Sequence, residues 1–287
     1  MTLFDTPTVL VQGITGRHGA FHTKGMLEAG TKVVAGVTPG KGGEIVHDLP
    51  VYDSVSEARA VHPALDTSVV FVPAAFTKNA VIEAIDAGIQ QVVVITEGIP
   101  VHDALVMHEY ATAHNATLVG PNCPGLIVPG SHKLGIIAAH ITKSGNTAII
   151  SRSGTLTYEL ADALTKANIG QSIILGIGGD PVPGMNFVDA LKLVEANPQT
   201  EQIIMVGEIG GTSEQIAADY IAEHVTKPVY GLVVGHSAPA GQTFGHAGAI
   251  IGTDNESAGT KTAYLRERNI TTANTLDELI ETIKKAA

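Results

Sequence analysis

Residues 8–19 read TVLVQGITGRHG. Thr8–Gln12 is a short β-branched apolar run, the pattern of a strand buried on both faces. It breaks at Gly13-Ile-Thr-Gly16-Arg-His-Gly19, and helix-like spacing follows over His22–Glu28. Glycines let backbone approach an anion, and a helix N-terminus presents N–H groups that have no intrahelical acceptor. Strand, glycine turn and helix in that order predict the first unit of a parallel sheet with a ligand turn at the strand's carboxyl end.

Working outward, the alternation repeats. Lys32–Val37, Ser68–Val72, Gln91–Thr96 and Thr117–Val119 read as strands, with Ser54–Arg59, Lys78–Ala87 and His102–His114 as helices. A segment rich in proline and glycine follows, GPNCPGLIVPGSHKLG, with no long periodic element. It reads as a junction, so the chain divides into residues 1–121, an interdomain loop over 122–145, and residues 146–287. Beyond it, Thr147–Ser151, Gln171–Gly176, Gln202–Gly207, Val229–Val234 and Ile270–Thr271 read as strands. Leu156–Ala167, Asn186–Ala196, Ser213–His224 and Leu276–Lys285 read as helices. The fold class is α/β, with two doubly wound domains in succession.

Composition agrees. The chain has 287 residues, 44% apolar and 16% charged, enough to build two cores. Glycine stands at 32 positions and tryptophan at none, so Val, Ile, Ala and Leu must fill the interior. A net charge of −11 opposes a general nucleic-acid binder. No apolar run approaches the roughly 18 residues of a membrane span. The opening MTLFDTPTVL lacks a basic region followed by an apolar core, so a cytoplasmic location is expected. The single Cys123 excludes an internal disulfide and a cysteine-rich zinc site, and no metal site is expected. The N-x-[ST] matches at Asn115, Asn255 and Asn269 then read as chance.

The strand-to-helix turns carry the candidate chemistry. A dinucleotide site needs Asp or Glu after the second strand to hold a ribose diol. Here that place reads Gly36-Val-Thr-Pro-Gly-Lys41-Gly-Gly, and a lysine suits a phosphate. The expected nucleotide carries an extra ribose phosphate, as CoA and NADP do. Ile95-Thr96-Glu97 could hydrogen-bond a base or an amide, or Glu97 could be an acid at a helix start. Ser151-Arg-Ser153-Gly154-Thr155 opens a helix with hydroxyls and an adjacent arginine, an anion site by the same physics. A serine nucleophile elbow would need G-x-S-x-G, and the glycine before the serine is missing. Glu208, at a strand end, could hold one ring nitrogen of a histidine and leave the other as nucleophile. His246 lies among small residues in Gly245-His246-Ala-Gly248, with room for a bulky group on its ring. No G-x-x-x-x-G-K-[ST] loop is present, so no triphosphate site is visible.

GVTPGKGG, VPAAF, EAIDAGI, ITEGIP, GPNCPG, SRSGTLTYE, GIGGDPVPG, GEIGG and GHAGAII run in order along almost the whole chain. In these segments the sequence resembles the succinyl-CoA synthetase (succinate–CoA ligase) α-subunit family. The resemblance implies a Rossmann-like CoA-binding domain followed by a flavodoxin-like ligase domain. It implies the reversible formation of succinyl-CoA from succinate and CoA with ATP or GTP, through a phosphohistidine.

It also implies roles by position. His246 would be phosphorylated and Glu208 would hold its ring. Ser153, Gly154 and Thr155 would receive the phosphoryl group. Thr15, Gly16, Arg17, His18, Lys41, Ile95, Thr96 and Glu97 would bind CoA, and Tyr158 would lie by the substrate. Cys123 would have no catalytic role, because CoA supplies the reacting thiol. A β subunit with an ATP-grasp domain would hold the nucleotide with Mg2+, in an αβ or α2β2 assembly. In the implied order the partner phosphorylates the acid, CoA's thiolate displaces phosphate, and His246 captures it.

The chain departs from the family at Ala238-Pro-Ala-Gly-Gln-Thr-Phe244, where lysine or arginine is expected, and Gly252-Thr-Asp-Asn-Glu-Ser is unusually acidic. Alternatives are a malate–CoA ligase-type subunit, a non-catalytic CoA-binding subunit and an NADP-dependent oxidoreductase.

Overall fold

The computed structural model describes residues 2–238, 246 and 248–286. Of the departing segment Ala238–Phe244, residues 239–244 therefore lie outside the described residues. Two compact units emerge, Met1–Ala139 with Val182–Met185, and His140–Pro181 with Asn186–Ala287.

The first unit contains β1 (Thr8–Gln12), α1 (Arg17–Glu28), β2 (Lys32–Val37), β3 (Ile45–Val46), β4 (Leu49–Tyr52), α2 (Val55–Val61) and β5 (Thr67–Val70). It continues through α3 (Ala74–Asp86), β6 (Gln91–Val94), α4 (Val101–Ala113), β7 (Thr117–Val119), β8 (Gly125–Val128) and β9 (His132–Gly135). Its main sheet runs β3-β4-β2-β1-β5-β6-β7, parallel except for the β3–β4 hairpin. From β4 onward this is the Rossmann strand order, which reverses at β1 and opens a crevice at that strand's carboxyl end. Every residue of β1 and β5 is buried, which explains their unbroken apolar reading. Leu10, Val70, Val92, Val94 and Met107 form part of the core.

The second unit contains β10 (Ser144–Ser151), α5 (Gly154–Lys166), β11 (Gln171–Gly176), α6 (Phe187–Ala196), β12 (Gln202–Glu208) and α7 (Ser213–His224). It ends with β13 (Val229–Val234), α8 (Ala258–Glu267), β14 (Thr271–Ala273) and α9 (Leu276–Ala286). Its parallel strands run β14-β13-β12-β10-β11. Read from β11, this is the flavodoxin order, with its reversal at β10. Helix starts are set locally. Asn186 and Asp189 form a capping box on α6, and Ser153 caps α5 by accepting from Leu156 N.

Three features differ from the sequence expectation. The segment 122–145 is not structureless: β8 and β9 pair antiparallel within it, and Leu126, Ile127 and Leu134 are buried. Buried backbone must find hydrogen-bond partners, and strands of four residues between glycines and prolines are too short to leave a period. The β3–β4 hairpin turns through His47 and Asp48, both at positive φ (52° and 62°), a conformation usually announced by Asn-Gly. Helix α8 was also unanticipated, because two of its four buried residues are Lys261 and Thr262, and a polar buried face hides the helical period.

Candidate functional site

In the first unit a cavity of about 830 Å3 lies at the carboxyl ends of β1, β2 and β5. Thr15, Gly16, Arg17 and His18 line it, opposite Thr38 and Phe71–Pro73. Gly16 begins α1 with no side-chain cap and no acid in the first turn, so the N–H groups of that turn remain available to an anion. The close turn depends on Gly19, where a Cβ would stand 2.1 Å from the carbonyl oxygen of Gly13. Thr15 Oγ1 donates to Thr38 Oγ1 at 3.1 Å, tying the turn after β1 to the one after β2.

The other expected CoA residues stand apart from this lining. Lys41 is half-exposed and pairs with Glu44 at 2.9 Å. Ile95, Thr96 and Glu97 follow β6. Thr96 Oγ1 donates to the carbonyl of Val72, a wall residue, at 2.7 Å. Glu97 is exposed and precedes the Pro100 cap of α4, so it is not a helix-start acid; Asp103 occupies that first turn. His18 and His22 share one face of α1, four positions apart. His22 stacks on Phe71, and burial, helped by Lys133 and His18, lowers its pKa to about 4.

In the second unit the carboxyl ends of β10 and β12 bring candidate groups together. Glu208, the last residue of β12, is buried. His246 Nδ1 lies 2.8 Å from Glu208 Oε2. A carboxylate only accepts, so Nδ1 carries the proton and Nε2 keeps its lone pair. The hydrogen bond to Glu208 raises the ring's affinity for a proton above the ordinary value. Desolvation opposes this, the Glu208 charge reinforces it, Arg152 opposes it and Asp180 reinforces it. The ring packs on Gly179, where a Cβ would stand 2.2 Å from His246 Cγ, so no side chain could occupy that position.

Between β10 and α5, Ser151 Oγ accepts from Ser153 N at 3.2 Å and shapes the turn. Ser153 caps α5; Gly154 is half-buried and Thr155 exposed, and both stand before the first intrahelical donor, Thr157 N, which bonds the Ser153 carbonyl at 3.1 Å. Arg152 is buried, with Nη2 3.4 Å from Glu208 Oε1, so the turn carrying the α5 start and the His246–Glu208 pair share one cation. Tyr158, one turn into α5, is half-buried, and desolvation holds its hydroxyl pKa above normal. Cys123 is in the first unit and buried, its thiol donating to the carbonyl of Val94 at 3.3 Å.

Sequence reasoning did not single out Gly179 and Asp180, although both lie in the quoted GIGGDPVPG. It also passed over Glu214 and Lys261, which carry no motif. Among the described residues no helix is long and apolar enough to cross a membrane.

Both units are similar to known proteins. Residues 5–98 match the CoA binding domain family and residues 150–276 the CoA-ligase family. The chain is 49% identical over 281 residues to succinate–CoA ligase [ADP-forming] subunit alpha 1 of Archaeoglobus fulgidus, covering 98% of this chain and 96% of the relative. It is 54% identical over 245 residues to the corresponding subunit alpha of Aquifex aeolicus, covering 85% of this chain and 80% of that one.

Among solved structures, ATP citrate lyase from Methanothrix soehngenii, in complex with citrate and coenzyme A, superposes with a TM-score of 0.89 at 26% identity. It covers 99% of this chain, which spans half the length of the lyase chain. A dinucleotide-forming acetyl-coenzyme A synthetase of Ca. Korarchaeum cryptofilum shares the fold, with a TM-score of 0.77 at 21% identity, over 96% of this chain and 60% of that one. The fold is that of a CoA-binding domain followed by a CoA-ligase domain, and the chain belongs to the family of succinate–CoA ligase α subunits.

Proposed function

We propose that this chain is the α subunit of an ADP-forming succinate–CoA ligase that works through a phosphohistidine at His246. The observation that carries the proposal is the His246–Glu208 contact of 2.8 Å, which holds the Nδ1 proton and leaves Nε2 as nucleophile. The ADP-forming names of the relatives support ATP as the nucleotide and succinate as the acid. Residues 1–121 would bind CoA, 122–145 would join the domains, and 146–287 would carry the phosphoryl group. A β subunit with an ATP-grasp domain would hold ATP with Mg2+, in an αβ or α2β2 assembly.

The steps follow from the groups present. His246 Nε2 attacks the γ-phosphorus of ATP and ADP leaves. As the N–P bond forms the ring gains positive charge, which Glu208 stabilises. The α5 start directs the hydroxyl of Ser153 and the N–H groups of Gly154 and Thr155 at the phosphoryl oxygens. The carboxylate of succinate takes the phosphoryl group from the ring, giving an acyl phosphate. The thiolate of CoA attacks its carbonyl carbon, and phosphate departs. This order differs from capture of free phosphate by His246. Inorganic phosphate has no good leaving group, so imidazole is charged by ATP or, in reverse, by the acyl phosphate. Thr15, Gly16, Arg17 and His18 bind CoA at the cavity beside β1, Lys41 contacts its ribose phosphate, Ile95–Glu97 line its approach, and Tyr158 borders the acid.

The test is incubation of the chain and its partner with γ-labelled ATP. Base-stable, acid-labile label should appear on wild type and be absent from His246→Asn. Glu208→Gln should slow labelling by about 10- to 100-fold, the value of a charge-assisted hydrogen bond. Undiminished label on His246→Asn would place the phosphoryl group on another residue. A panel of dicarboxylic acids, with malate beside succinate, tests the acid.

A further inference from the structure

Behind the His246–Glu208 pair lies a second, fully buried ion pair. Glu214, in the first turn of α7, and Lys261, on α8, both have side chains with 0% exposure and contact each other directly. Lys261 Nζ also donates to the carbonyls of Glu208 at 2.8 Å and Gly210 at 2.6 Å. Three acceptors for one nitrogen use the three protons of an ammonium, so Lys261 is charged, although burial lowers its proton affinity. Glu214 Oε1 accepts from the backbone N–H of Glu208 at 3.2 Å and from Arg152 Nη1 at 3.1 Å.

Arg152 is thus divided between two carboxylates. Nη1 makes a hydrogen bond to Glu214, while Nη2 stands 3.4 Å from Glu208 Oε1, an atom with no hydrogen-bond partner among the described residues. A fork that engaged Glu208 with both arms would neutralise that carboxylate. Held by Glu214, it leaves Glu208 free to bind His246 with Oε2. Behind the half-buried His246 ring, buried charges alternate in sign from Glu208 through Arg152 and Glu214 to Lys261, and burial strengthens each coupling.

We propose that Glu214 and Lys261 are positioning residues for His246: together they divide Arg152 between the two carboxylates and so set how much of the Glu208 charge reaches the imidazole. This rests on the reading of His246 as the phosphoryl acceptor. The charged groups facing the ring are Glu208 from β12, Arg152 from the turn after β10, and Asp180 from the loop after β11. Glu214 and Lys261 act on it through the first two.

The two residues should act with opposite signs. Glu214→Gln keeps the size and removes the charge. Arg152 then turns to Glu208, Lys261 loses its carboxylate, and the ring should release its proton at lower pH. Lys261→Met leaves Glu214 to draw Arg152 away from Glu208, and the ring should hold its proton to higher pH. The double variant removes one charge of each sign and should return toward wild type. A purely structural role would shift neither midpoint in a signed way.

The experiment is a histidine-selective NMR titration of the full chain, with the His246 signal assigned by its loss in His246→Asn. Each single variant should move the midpoint by about one pH unit, the low end of what a nearby charge produces. If one variant fails to fold, the sign of the other decides. An unmoved midpoint in a folded single variant, or movement of both in the same direction, would overturn the proposal. The titration reads ring protonation whether or not the ring is ever phosphorylated. Labelling by ATP and partner, run on the same samples, reports separately on the phosphohistidine.

Discussion

At Lys41 the chemistry expected of a phosphate contact meets a competitor. Its ammonium is half-exposed and paired with Glu44, three residues on, at 2.9 Å. A ribose phosphate must share or displace that carboxylate, and solvent screens the contact. A charge-assisted bond contributes about 1.5–3 kcal/mol, and exposure places Lys41 at the lower end. Lys41→Ala should therefore weaken CoA binding about tenfold by calorimetry, and should leave dephospho-CoA, which lacks the ribose phosphate, bound as before. Glu44→Gln should tighten CoA by freeing the ammonium. Equal losses for CoA and dephospho-CoA would show that Lys41 acts on the loop and not on the phosphate. Across the second unit, His246 and Glu208 meet from 38 positions apart. Glu208 ends a β-strand, and the absence of a side chain at Gly179 leaves room for the His246 ring beside it.

The elements are governed by turns more than by helix propensity. The β1–α1 turn closes only because residue 19 has no side chain: a Cβ there would press on the Gly13 carbonyl, which is backbone and cannot give way. Gly19→Ala should lower stability by about 1–3 kcal/mol, the usual cost of overpacking, and should weaken CoA binding along with the melting temperature. Gly259, in the first turn of α8, offers the contrast, since a Cβ there meets nothing within 4 Å. Gly259→Ala should hold or raise the melting temperature, by up to about 1 kcal/mol of helix propensity. Thermal denaturation of the two variants beside wild type checks both. A Gly19→Ala protein as stable as wild type would mean that the turn has room to relax.

For the whole molecule, the division of labour between units has a direct consequence. The cavity proposed for CoA is lined by residues of the first unit, and the His246–Glu208 pair belongs to the second. His246→Asn should therefore abolish acyl-CoA formation while leaving CoA affinity near that of wild type. No P-loop is legible in the chain, so the purified chain alone should form no acyl-CoA from succinate, CoA and ATP, and addition of the β partner should restore turnover. A coupled assay of the chain with and without its partner measures this. Robust turnover by the chain alone would show that it binds ATP itself.

The periodic parts of the fold were legible without coordinates. The bounds of β1, β2, β7, β11, β13 and α7 coincide with their sequence readings, because buried parallel strands are continuous apolar runs and α7 is framed by sharp breaks. The glycine turn after β1 also announced itself, since only glycine tolerates such backbone approach. Other features were decided by tertiary structure. Nothing local marks β3–β4, which turns through His47 and Asp48, or the pairing of β8 with β9. Glu214 and Lys261 read as ordinary polar helix residues, and only the packing of α7 and α8 at the ends of β12 and β13 makes them a buried ion pair. A sequence displays periodicity and local turn chemistry. Whether a charge is solvated or enclosed depends on residues far along the chain, and so the electrostatics around His246 appear only once the sheet has brought Arg152, Glu208, Glu214 and Lys261 together.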